Sequence, residues 1–360
     1  LMLNKIDVNT NIYKLDDNYD YILQIEPPKT IAKYLKIKYW GMRDSNWSPD
    51  YPTSAKQTSW FFEQEGGSEV NGVVAVNATV VKDLLEIVGP IELTKYQLTI
   101  NQENYFDVLQ HQIEKEYYQD EKNQEINEPK TILKDLMPEI LSRAKLQQHR
   151  LGIINLIFRE IKQKQLIFYS QNPLIENIIQ WLNLGGEIKF PENNQSNPSD
   201  YLYLNNANLG GLKSNRYIDQ AVNLDTFIDT TGQVNNTLKV TRTHSGNGEW
   251  PDGNNENYLR IYVPLGSSIK EIKINGQNAL SELEISEELG KTVFGIWLPT
   301  GVGTAKTLDI SYQLPFTISD PSQYQLYWQK QPGVISDNLQ VIVNGEVLYQ
   351  DQVITDLIIN

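Results

Sequence analysis

The sequence predicts a mixed α/β domain over residues 1–195, followed by an antiparallel β-sandwich over residues 196–360. In the first half, apolar residues at helical spacing alternate with short apolar runs, which is typical of a mixed sheet flanked by helices. In the second half, short runs of alternating polarity are separated by turns, which is typical of a sandwich. The polar stretch at residues 191–200 (PENNQSNPSD) lies between the two patterns and has the composition of a linker.

Caps and turns mark the expected elements of the first half. Residues 70–76 form an almost continuous apolar run, which predicts a strand buried on both faces. Thr53 or Ser54 can cap the helix before this strand, and Asn77 can cap the helix after it. The expected strands are residues 21–25, 70–76, 91–93 and 165–169, and the expected helices are residues 53–65, 79–88, 101–118, 129–141, 151–161 and 172–185.

Alternating runs define the expected strands of the second half. Asn275-Gly276 and Asn344-Gly345 are hairpin-type turn pairs. Residues 201–205 (YLYLN) are expected to add a strand to the first sheet before the chain crosses to the sandwich. The alternating runs are residues 238–241, 258–263, 269–274, 292–298, 307–312, 324–329 and 339–343.

Composition argues against several classes of function. The net charge of -14 disfavours nucleic acid and purely electrostatic membrane binding, because both require a basic surface. The absence of cysteine removes zinc–thiolate, disulfide and cysteine-nucleophile chemistry. His111, His149 and His244 lie far apart, so a histidine metal site is not expected. The chain begins at Leu1 inside what reads as a strand, and we therefore expect an upstream segment.

The loop at residues 43–52 (RDSNWSPDYP) is the strongest candidate for a functional site. It brings Arg43, Asp44, Trp47 and Asp50 together after residues 34–42, which read as a buried strand. Polar loops at strand ends carry much of the ligand chemistry of α/β proteins. We therefore expect Arg43 and Asp44 to border an apolar pocket, with Trp47 nearby.

Structural explanations compete with these functional ones. An ion pair between Arg43 and Asp44 or Asp50 could simply fix the loop. Asp44 and Asp50 together suggest the paired carboxylates of a glycosidase, although helix capping also explains such residues. Trp47 can stack on a sugar, line a lipid pocket or fill the small core of its own loop.

Three further segments are expected to be structural. Residues 209–214 (LGGLKS) lack the spacing of a phosphate loop and read as a glycine turn. Residues 250–256 (WPDGNNE) are acidic but lack the spacing of a calcium loop, and read as a long hairpin loop. Trp297, Tyr327 and Trp328 lie in expected strands, as sandwich core or as a surface stripe.

Several segments resemble a known family. Residues 70–77 (VNGVVAVN) and 80–91 (VVKDLLEIVGPI) resemble a stretch of the LytR-CpsA-Psr family, and residues 41–44 (GMRD) lie where that family carries an Arg-Asp motif. The string RDSNWSPDYP and residues 206–217 (NANLGGLKSNRY) resemble more closely an uncharacterised bacterial cell-envelope family related to it. The resemblance extends over residues 1–316.

This resemblance implies an extracytoplasmic protein that is anchored in the membrane by a segment upstream of Leu1. It also implies a LytR-CpsA-Psr-like fold with an apolar pocket for a polyprenyl chain. Enzymes of that family use Mg²⁺ to move a glycopolymer from polyprenyl pyrophosphate to a cell-wall hydroxyl. By position, Arg43 would contact the pyrophosphate and Asp44 would lie at the phosphate and metal. Such roles suit an arginine fork and a carboxylate.

The chain also departs from the family pattern. A second phosphate-site motif of the family has no counterpart, and Arg43 is the only arginine in the first 142 residues. Where the family carries further arginines, this chain has Lys130, Lys134 and Arg143. Lys130 and Lys134 are candidate ligand-binding residues with Trp47 and Asp50, although lysines on such a helix usually form its solvated face. The predicted function is binding or transfer of a polyprenyl-pyrophosphate-linked glycopolymer, and the alternative is a non-catalytic cell-wall scaffold or adhesion module.

Overall fold

The computed structural model describes residues 12–126, 128–190 and 198–360. The chain divides into two compact units, of which unit 1 comprises Leu1–Pro28 and Ile37–Gly186, and unit 2 comprises Lys29–Lys36 and Glu187–Asn360. Helix α1 (Ile12–Leu23) belongs to unit 1, whereas the next helix, α2 (Lys29–Leu35), belongs to unit 2. The strand expected at Leu1 and most of the expected linker (residues 191–197) lie outside the described residues.

Unit 1 combines helices with two small sheets. Strand β1 (Gly72–Val76) pairs antiparallel with β4 (Leu166–Ser170), and β2 (Ile91–Leu93) pairs antiparallel with β3 (Leu98–Ile100). Its helices after α1 are α3 (Tyr51–Gln64), α4 (Ala78–Val88), α5 (Tyr105–Glu114), α6 (Glu121–Ile126), α7 (Ile132–Ala144), α8 (Arg150–Lys162) and α9 (Pro173–Trp181).

Helices form at all six positions predicted for the first half, and side-chain caps explain several of their starts. The Asn77 side chain accepts a hydrogen bond from the Ala78 amide at the start of α4, and the Asn172 side chain accepts from the first turn of α9. The cap of α3 is Asp50, whose Oδ2 accepts from the Thr53 amide at 3.1 Å. The prediction that Thr53 or Ser54 caps this helix is therefore wrong.

The predicted sheet of the first half is also wrong in form. The described part of unit 1 contains only the two antiparallel pairs and no larger mixed central sheet. Strand β1 is not buried on both faces, because Val74 and Val76 are each about half exposed. Residues 21–23 end α1 instead of forming a strand, and Gln24 follows with a left-handed φ of 49°. Short apolar runs do not distinguish strands from helix ends, which explains this error.

A hydrophobic core of unit 1 lies among α4, α5, α7 and the β2–β3 pair. Both strands of that pair bury one isoleucine completely, and α7 contributes one face of its helical period. The most deeply buried side chains of this core are Leu85, Ile91, Ile100, Ile132, Leu136 and Ile140.

Unit 2 contains two large sheets. Its strands are β5 (Asp200–Asn208), β6 (Ile218–Ile228), β7 (Gln233–His244), β8 (Asn257–Pro264), β9 (Ser268–Ile274), β10 (Gln277–Asn278), β11 (Glu284–Glu288), β12 (Lys291–Trp297), β13 (Ala305–Thr317), β14 (Leu326–Gln329), β15 (Asp337–Val343), β16 (Glu346–Val353) and β17 (Leu357–Ile359). The strand orders are β11-β12-β8-β5-β14-β17 in one sheet and β10-β9-β13-β7-β6-β15-β16 in the other.

All seven predicted runs of the second half form strands, but two details differ from the prediction. Residues 201–205 belong to β5 of unit 2, where β5 pairs with β8 and β14, so they do not extend a sheet of unit 1. The pairs β5–β14 and β6–β15 are parallel, so both large sheets are mixed and not wholly antiparallel. One hydrophobic cluster takes residues from both sheets, including Leu204, Leu224, Leu238 and Ile261.

Helix α2 packs on strands of the six-stranded sheet. The Tyr34 ring stacks on the Trp297 ring of β12, with centroids 3.8 Å apart and an interplanar angle of 6°. Ile31 is buried, and Lys33 Nζ lies 3.7 Å from Glu284 Oε1 of β11. This short helix therefore depends on tertiary contacts, since seven residues are too few for an isolated helix to be stable.

Candidate functional site

Arg43 and Asp44 lie on a 3₁₀ turn, Met42–Asp44, between α2 and α3. Ser45 Oγ donates to the Met42 carbonyl at 2.7 Å, and Trp40 Nε1 donates to the Asp44 carbonyl at 2.9 Å. The chain before the turn is helix α2 and an irregular stretch, so Arg43 does not follow a strand as predicted. The predicted apolar pocket beside Arg43 and Asp44 stays a prediction.

A buried carboxylate on α1 holds the turn. Asp16 Oδ1 accepts from the Met42 amide at 2.7 Å, and Asp16 Oδ2 accepts from the Arg43 amide at 3.0 Å. The same Oδ2 lies 2.9 Å from Arg43 Nε, and the Asp16 side chain has no solvent exposure. Because the ion pair is combined with two backbone hydrogen bonds, Asp16 fixes both the main chain and the direction of the guanidinium.

A second contact places the outer end of the Arg43 side chain. Arg43 Nη2 lies 3.3 Å from Asp17 Oδ1, whose side chain is largely exposed. Glu65, at the end of α3, is buried and accepts a further hydrogen bond from the Met42 amide through Oε1 at 3.2 Å. About a third of the Arg43 side chain remains exposed, so part of it faces solvent.

The other candidates in the loop have mainly structural surroundings. Asp50 caps α3 and also accepts from Thr53 Oγ1 at 2.5 Å, as the capping explanation expects. Trp47 is partly buried beside it in the loop. The structure therefore keeps Arg43, Asp44, Trp47 and Asp50 in one connected segment, in which the role of Asp50 is a helix cap.

Lys130 and Lys134 lie on different elements from Arg43. Lys130 is in the 3₁₀ turn Pro129–Thr131, which packs with α5 and α7, whereas the turn of Arg43 packs with α1 and α3. Lys134 Nζ is 2.8 Å from Glu128 Oε2, and both side chains are exposed by more than a third. An exposed ion pair of this kind matches the explanation that Lys134 belongs to the solvated face of its helix.

The acidic side chains near Arg43 do not form a ready metal site. Among the described residues, no three histidine, aspartate or glutamate side chains are clustered so that they could hold a metal ion. Both oxygens of Asp16 already accept hydrogen bonds. Mg²⁺ often takes only one or two carboxylates and completes its shell with phosphate oxygens and water, so Asp44 alone could serve only when a phosphate ligand is bound.

Sequence reasoning missed Asp16 and Glu65, which are the main partners of the turn. The acidic pair Asp16-Asp17 stands inside the segment IYKLDDNYDYIL, whose spacing is helical. Helical spacing over residues 12–23 is the signal that indicates a helix here, and it conflicts with the predicted strand at residues 21–25. Glu65 stands at the end of a correctly predicted helix, and nothing in its local sequence indicates burial.

In unit 2, the segment after β5 is a glycine turn, as predicted. Asn208 Oδ1 accepts from the Gly211 amide at 3.0 Å and from the Glu256 amide at 3.2 Å. A Cβ at Gly211 would lie 2.1 Å from Asn208 Oδ1 and 2.6 Å from the Asn254 carbonyl oxygen. Ser214 Oγ closes the turn on the Gly211 carbonyl at 2.6 Å, and we therefore assign the turn to structure and not to phosphate binding.

The prediction of a hairpin loop at residues 250–256 is wrong, because β7 and β8, which flank this segment, belong to different sheets. The segment has a structural contact instead. Asp252 and His244 are both buried, with Asp252 Oδ1 3.2 Å from His244 Nε2. His244 Nδ1 accepts from the Gly246 amide at 3.1 Å, so the ring proton is on Nε2. Trp328 is core, as predicted, and Trp297 holds α2 through the stacked Tyr34 ring.

Buried charged groups lie within unit 2. Burial raises the pKa of Asp200 to about 6, although hydrogen bonds from Tyr324, Asn236 and the Tyr201 amide oppose the shift. Burial lowers the pKa of Arg242 to about 10, and its guanidinium bonds to Asn206, Gln220 and Asn255. Buried polar groups that are hydrogen-bonded in this way make the interior more rigid and favour one packing arrangement.

Burial also lowers the pKa of Lys291 to about 8. Its Nζ lies 4.4 Å from the Phe190 ring centroid and 4.1 Å from the Tyr201 ring centroid. The ammonium is therefore stabilised by two aromatic faces.

None of the helices in the described ranges has the length and apolar character needed to span a lipid bilayer.

Comparison with known proteins gives one family match. The model of a family described as a protein of unknown function (DUF4012) matches residues 5–113, a range that contains the RDSNWSPDYP loop. No curated protein matches the chain significantly.

Several solved structures match the chain weakly. A Legionella pneumophila protein described as nutrient-binding is 6% identical, with 36% of this chain and 50% of that chain covered and a TM-score of 0.29. A zinc metallopeptidase from Deinococcus radiodurans is 12% identical, with 36% and 33% covered and a TM-score of 0.18. Leukotriene A4 hydrolase from Saccharomyces cerevisiae is 12% identical, with 47% and 30% covered and a TM-score of 0.22. The chain spans at most half the length of these proteins, and similarity at this level carries no information about its function.

Proposed function

We propose that this chain is the extracytoplasmic part of a bacterial cell-envelope protein that binds a polyprenyl-pyrophosphate-linked glycopolymer at the Arg43 turn. In this proposal, unit 1 is related to the LytR-CpsA-Psr fold and unit 2 is a β-sandwich module. The observation that carries the proposal is an arginine whose Nε and main chain are fixed by the buried Asp16, while about a third of its side chain stays exposed. A fixed, partly exposed guanidinium suits recognition of phosphate oxygens.

The residues of the loop have distinct roles in this proposal. Arg43 would contact the pyrophosphate, Asp44 would help to hold Mg²⁺, and Trp47 would pack against the lipid or sugar next to it. Mg²⁺ would neutralise phosphate charge when bound. If transfer occurs, the cell-wall hydroxyl attacks the glycan-linked phosphorus and polyprenyl phosphate leaves. An Asp44 carboxylate that does not hold Mg²⁺ would accept the hydroxyl proton instead.

A matched pair of arginine variants tests the binding site. Arg43→Ala should abolish binding of polyprenyl pyrophosphate in the presence of Mg²⁺, as measured by isothermal titration or microscale thermophoresis. Arg159→Ala is the control, because Arg159 Nε also lies 2.9 Å from a buried carboxylate, that of Glu160, and its side chain is also partly exposed. Equal binding by the two variants, or no binding by the wild-type chain, would remove the Arg43 turn as the site.

A second candidate function is a non-catalytic cell-wall scaffold or adhesion module. The observation that favours it is the acidic surroundings of Arg43, whose guanidinium contacts both Asp16 and Asp17. A pull-down with purified cell wall tests this alternative, and no retention would end it. Retention together with no binding of polyprenyl pyrophosphate would favour the scaffold over the transferase.

A further inference from the structure

Two helices of unit 1 carry apolar stripes that face solvent. On α9, Leu174, Ile178 and Trp181 follow helical spacing and are all exposed, with Trp181 at 83%. The apolar residue that α9 buries is Ile179. An amphipathic helix of a globular protein normally turns its apolar face inward, so this orientation is unusual.

Helix α8 repeats the pattern. Leu151, Ile154 and Phe158 are spaced at i, i+3 and i+7 and are exposed, with Phe158 at 69%. The side chains that α8 buries are Leu156 and Glu160. Helix α8 precedes β4 and α9 follows it, and both helices pack against that strand.

The exposed apolar area is large for a soluble surface. Ile157, Ile175 and Leu182 add to the two stripes, and Val74 and Val76 of the neighbouring β1 are also about half exposed. With roughly 100 Å² exposed on each of these side chains, the four residues of α8 and the five of α9 present on the order of 400–500 Å² on each helix. The largest apolar patch of a typical monomer is ~300–600 Å². A surface of this size and composition indicates a binding face.

The local charge points to the occupant. Residues 150–182 have a net charge of +2, whereas the whole chain has a net charge of -14. Of their four basic residues, Lys164 is buried and Arg159 pairs with Asp83 and Glu160, so the positive charge attributed to this face is that of Arg150 and Lys162. Arg150 and Lys162 are exposed at the two ends of α8. Apolar stripes flanked by basic residues are typical of helices that lie on anionic lipid, and tryptophan favours the interface between lipid and water.

We propose that the α8–α9 face, defined as the exposed apolar residues of α8 and α9 with Arg150 and Lys162, docks on the surface of a lipid bilayer. The two helices lie in the interfacial layer with their stripes toward the acyl chains, and the basic residues contact anionic headgroups. Unit 1 then rests on the membrane without crossing it.

Vesicle binding by the full chain tests this proposal. The wild-type chain should co-sediment with vesicles of phosphatidylcholine and phosphatidylglycerol. The double variant Phe158→Gln, Trp181→Gln should bind at least tenfold more weakly. The matched control is Phe227→Gln, Ile335→Gln, which changes two apolar side chains of unit 2 with 59% and 67% exposure and should leave binding unchanged. Circular dichroism and thermal melting check that both variants remain folded.

A charge variant separates lipid from protein partners. Arg150→Gln should weaken binding to anionic vesicles several-fold at low salt and leave binding to pure phosphatidylcholine unchanged, whereas Lys270→Gln in unit 2 should have no effect on either. The alternative is that a second copy of the chain covers this face. Light scattering after size exclusion tests it, because it measures the molar mass and so distinguishes a monomer from a dimer. The proposal is overturned if the wild-type chain does not bind vesicles, or if the double variant Phe158→Gln, Trp181→Gln binds them equally well. It is also overturned if the chain forms a dimer that dissociates in the double variant and neither protein binds lipid.

Discussion

One buried carboxyl group should make a contribution to the stability of unit 2 that falls as pH rises from 4 to 7. Asp200 has no solvent exposure, and burial raises its pKa from 3.8 to about 6. Tyr324 Oη donates to Asp200 Oδ2 at 2.7 Å, and Asn236 Nδ2 donates to the same oxygen at 2.8 Å. These hydrogen bonds reduce the shift but do not cancel the cost of burying the charge.

The sign and size follow from linkage. A raised pKa means that the folded state holds the proton more tightly, so this contribution to stability is complete below pH 3.8 and is lost as pH rises through about 6. A difference of about two pKa units corresponds to about 3 kcal/mol in total. About 2 kcal/mol of this should appear between pH 4.5 and pH 7.5, because part of the change lies below pH 4.5.

The test compares pH dependence and not absolute stability. Asp200→Asn removes the titration but also disturbs the hydrogen bonds, so only its change in unfolding free energy with pH is informative. Urea unfolding at pH 4.5 and 7.5 would be followed by hydrogen-exchange mass spectrometry of peptides from β5 and β7. We expect the wild type to lose about 2 kcal/mol more than the variant between these pH values. Asp225→Asn, at an exposed carboxylate of β6, is the control and should behave as the wild type.

The same pH dependence in the wild type and in Asp200→Asn would refute the raised pKa of Asp200. A wild type that gains stability relative to Asp200→Asn as pH rises would also refute it, since that would mean a lowered pKa of Asp200 in the folded state.

Three further changes have expected outcomes. Asp16→Asn should lower the free energy of unfolding by about 1–3 kcal/mol, because a buried ion pair and its hydrogen bonds are weakened. Asp17→Asn is the control and should change it by less than about 0.5 kcal/mol. Equal denaturation midpoints for the two variants would contradict this prediction. Gly211→Ala should cost about 1–3 kcal/mol through its clash with Asn208 Oδ1, and Gly301→Ala is the milder control in thermal melting. Trp297→Ala should remove the Tyr34 stack, worth about 1 kcal/mol, and expose α2 to limited proteolysis; unchanged cleavage at residues 29–36 would count against that packing.

The sequence was most informative where local pattern alone determines structure. Alternation located all seven predicted strands of unit 2, because one face of each strand had to be apolar to join the shared core. Asn77 and Asn172 mark the starts of two helices, because a side-chain cap bonds to amides within the first turn and so depends only on local sequence.

Where tertiary contacts decide, the sequence was less informative. Asp200 stands at the end of a polar linker and reads as a loop residue, yet it is buried by Asn236 and Tyr324, which are 36 and 124 residues away. The run GVVAV reads as a buried strand, yet β1 pairs only with β4 and leaves Val74 half exposed. Neither fact is present in the local pattern, because burial depends on which distant segments pack against a residue.

The charges around Arg43 constrain the proposed function further. The formal charges of Asp16, Asp17 and Asp44 exceed that of Arg43 by two, and Asp16 and Asp17 lie within 3.3 Å of its guanidinium. A pyrophosphate brought to this turn alone would meet a net negative site, and like charges at this range repel unless a cation lies between them. The proposed binding would therefore need a divalent cation, which Asp44 would help to hold beside the phosphate. Removal of Mg²⁺ with a chelator should then weaken binding as strongly as Arg43→Ala does, whereas a purely structural Arg43–Asp16 pair would be indifferent to the cation.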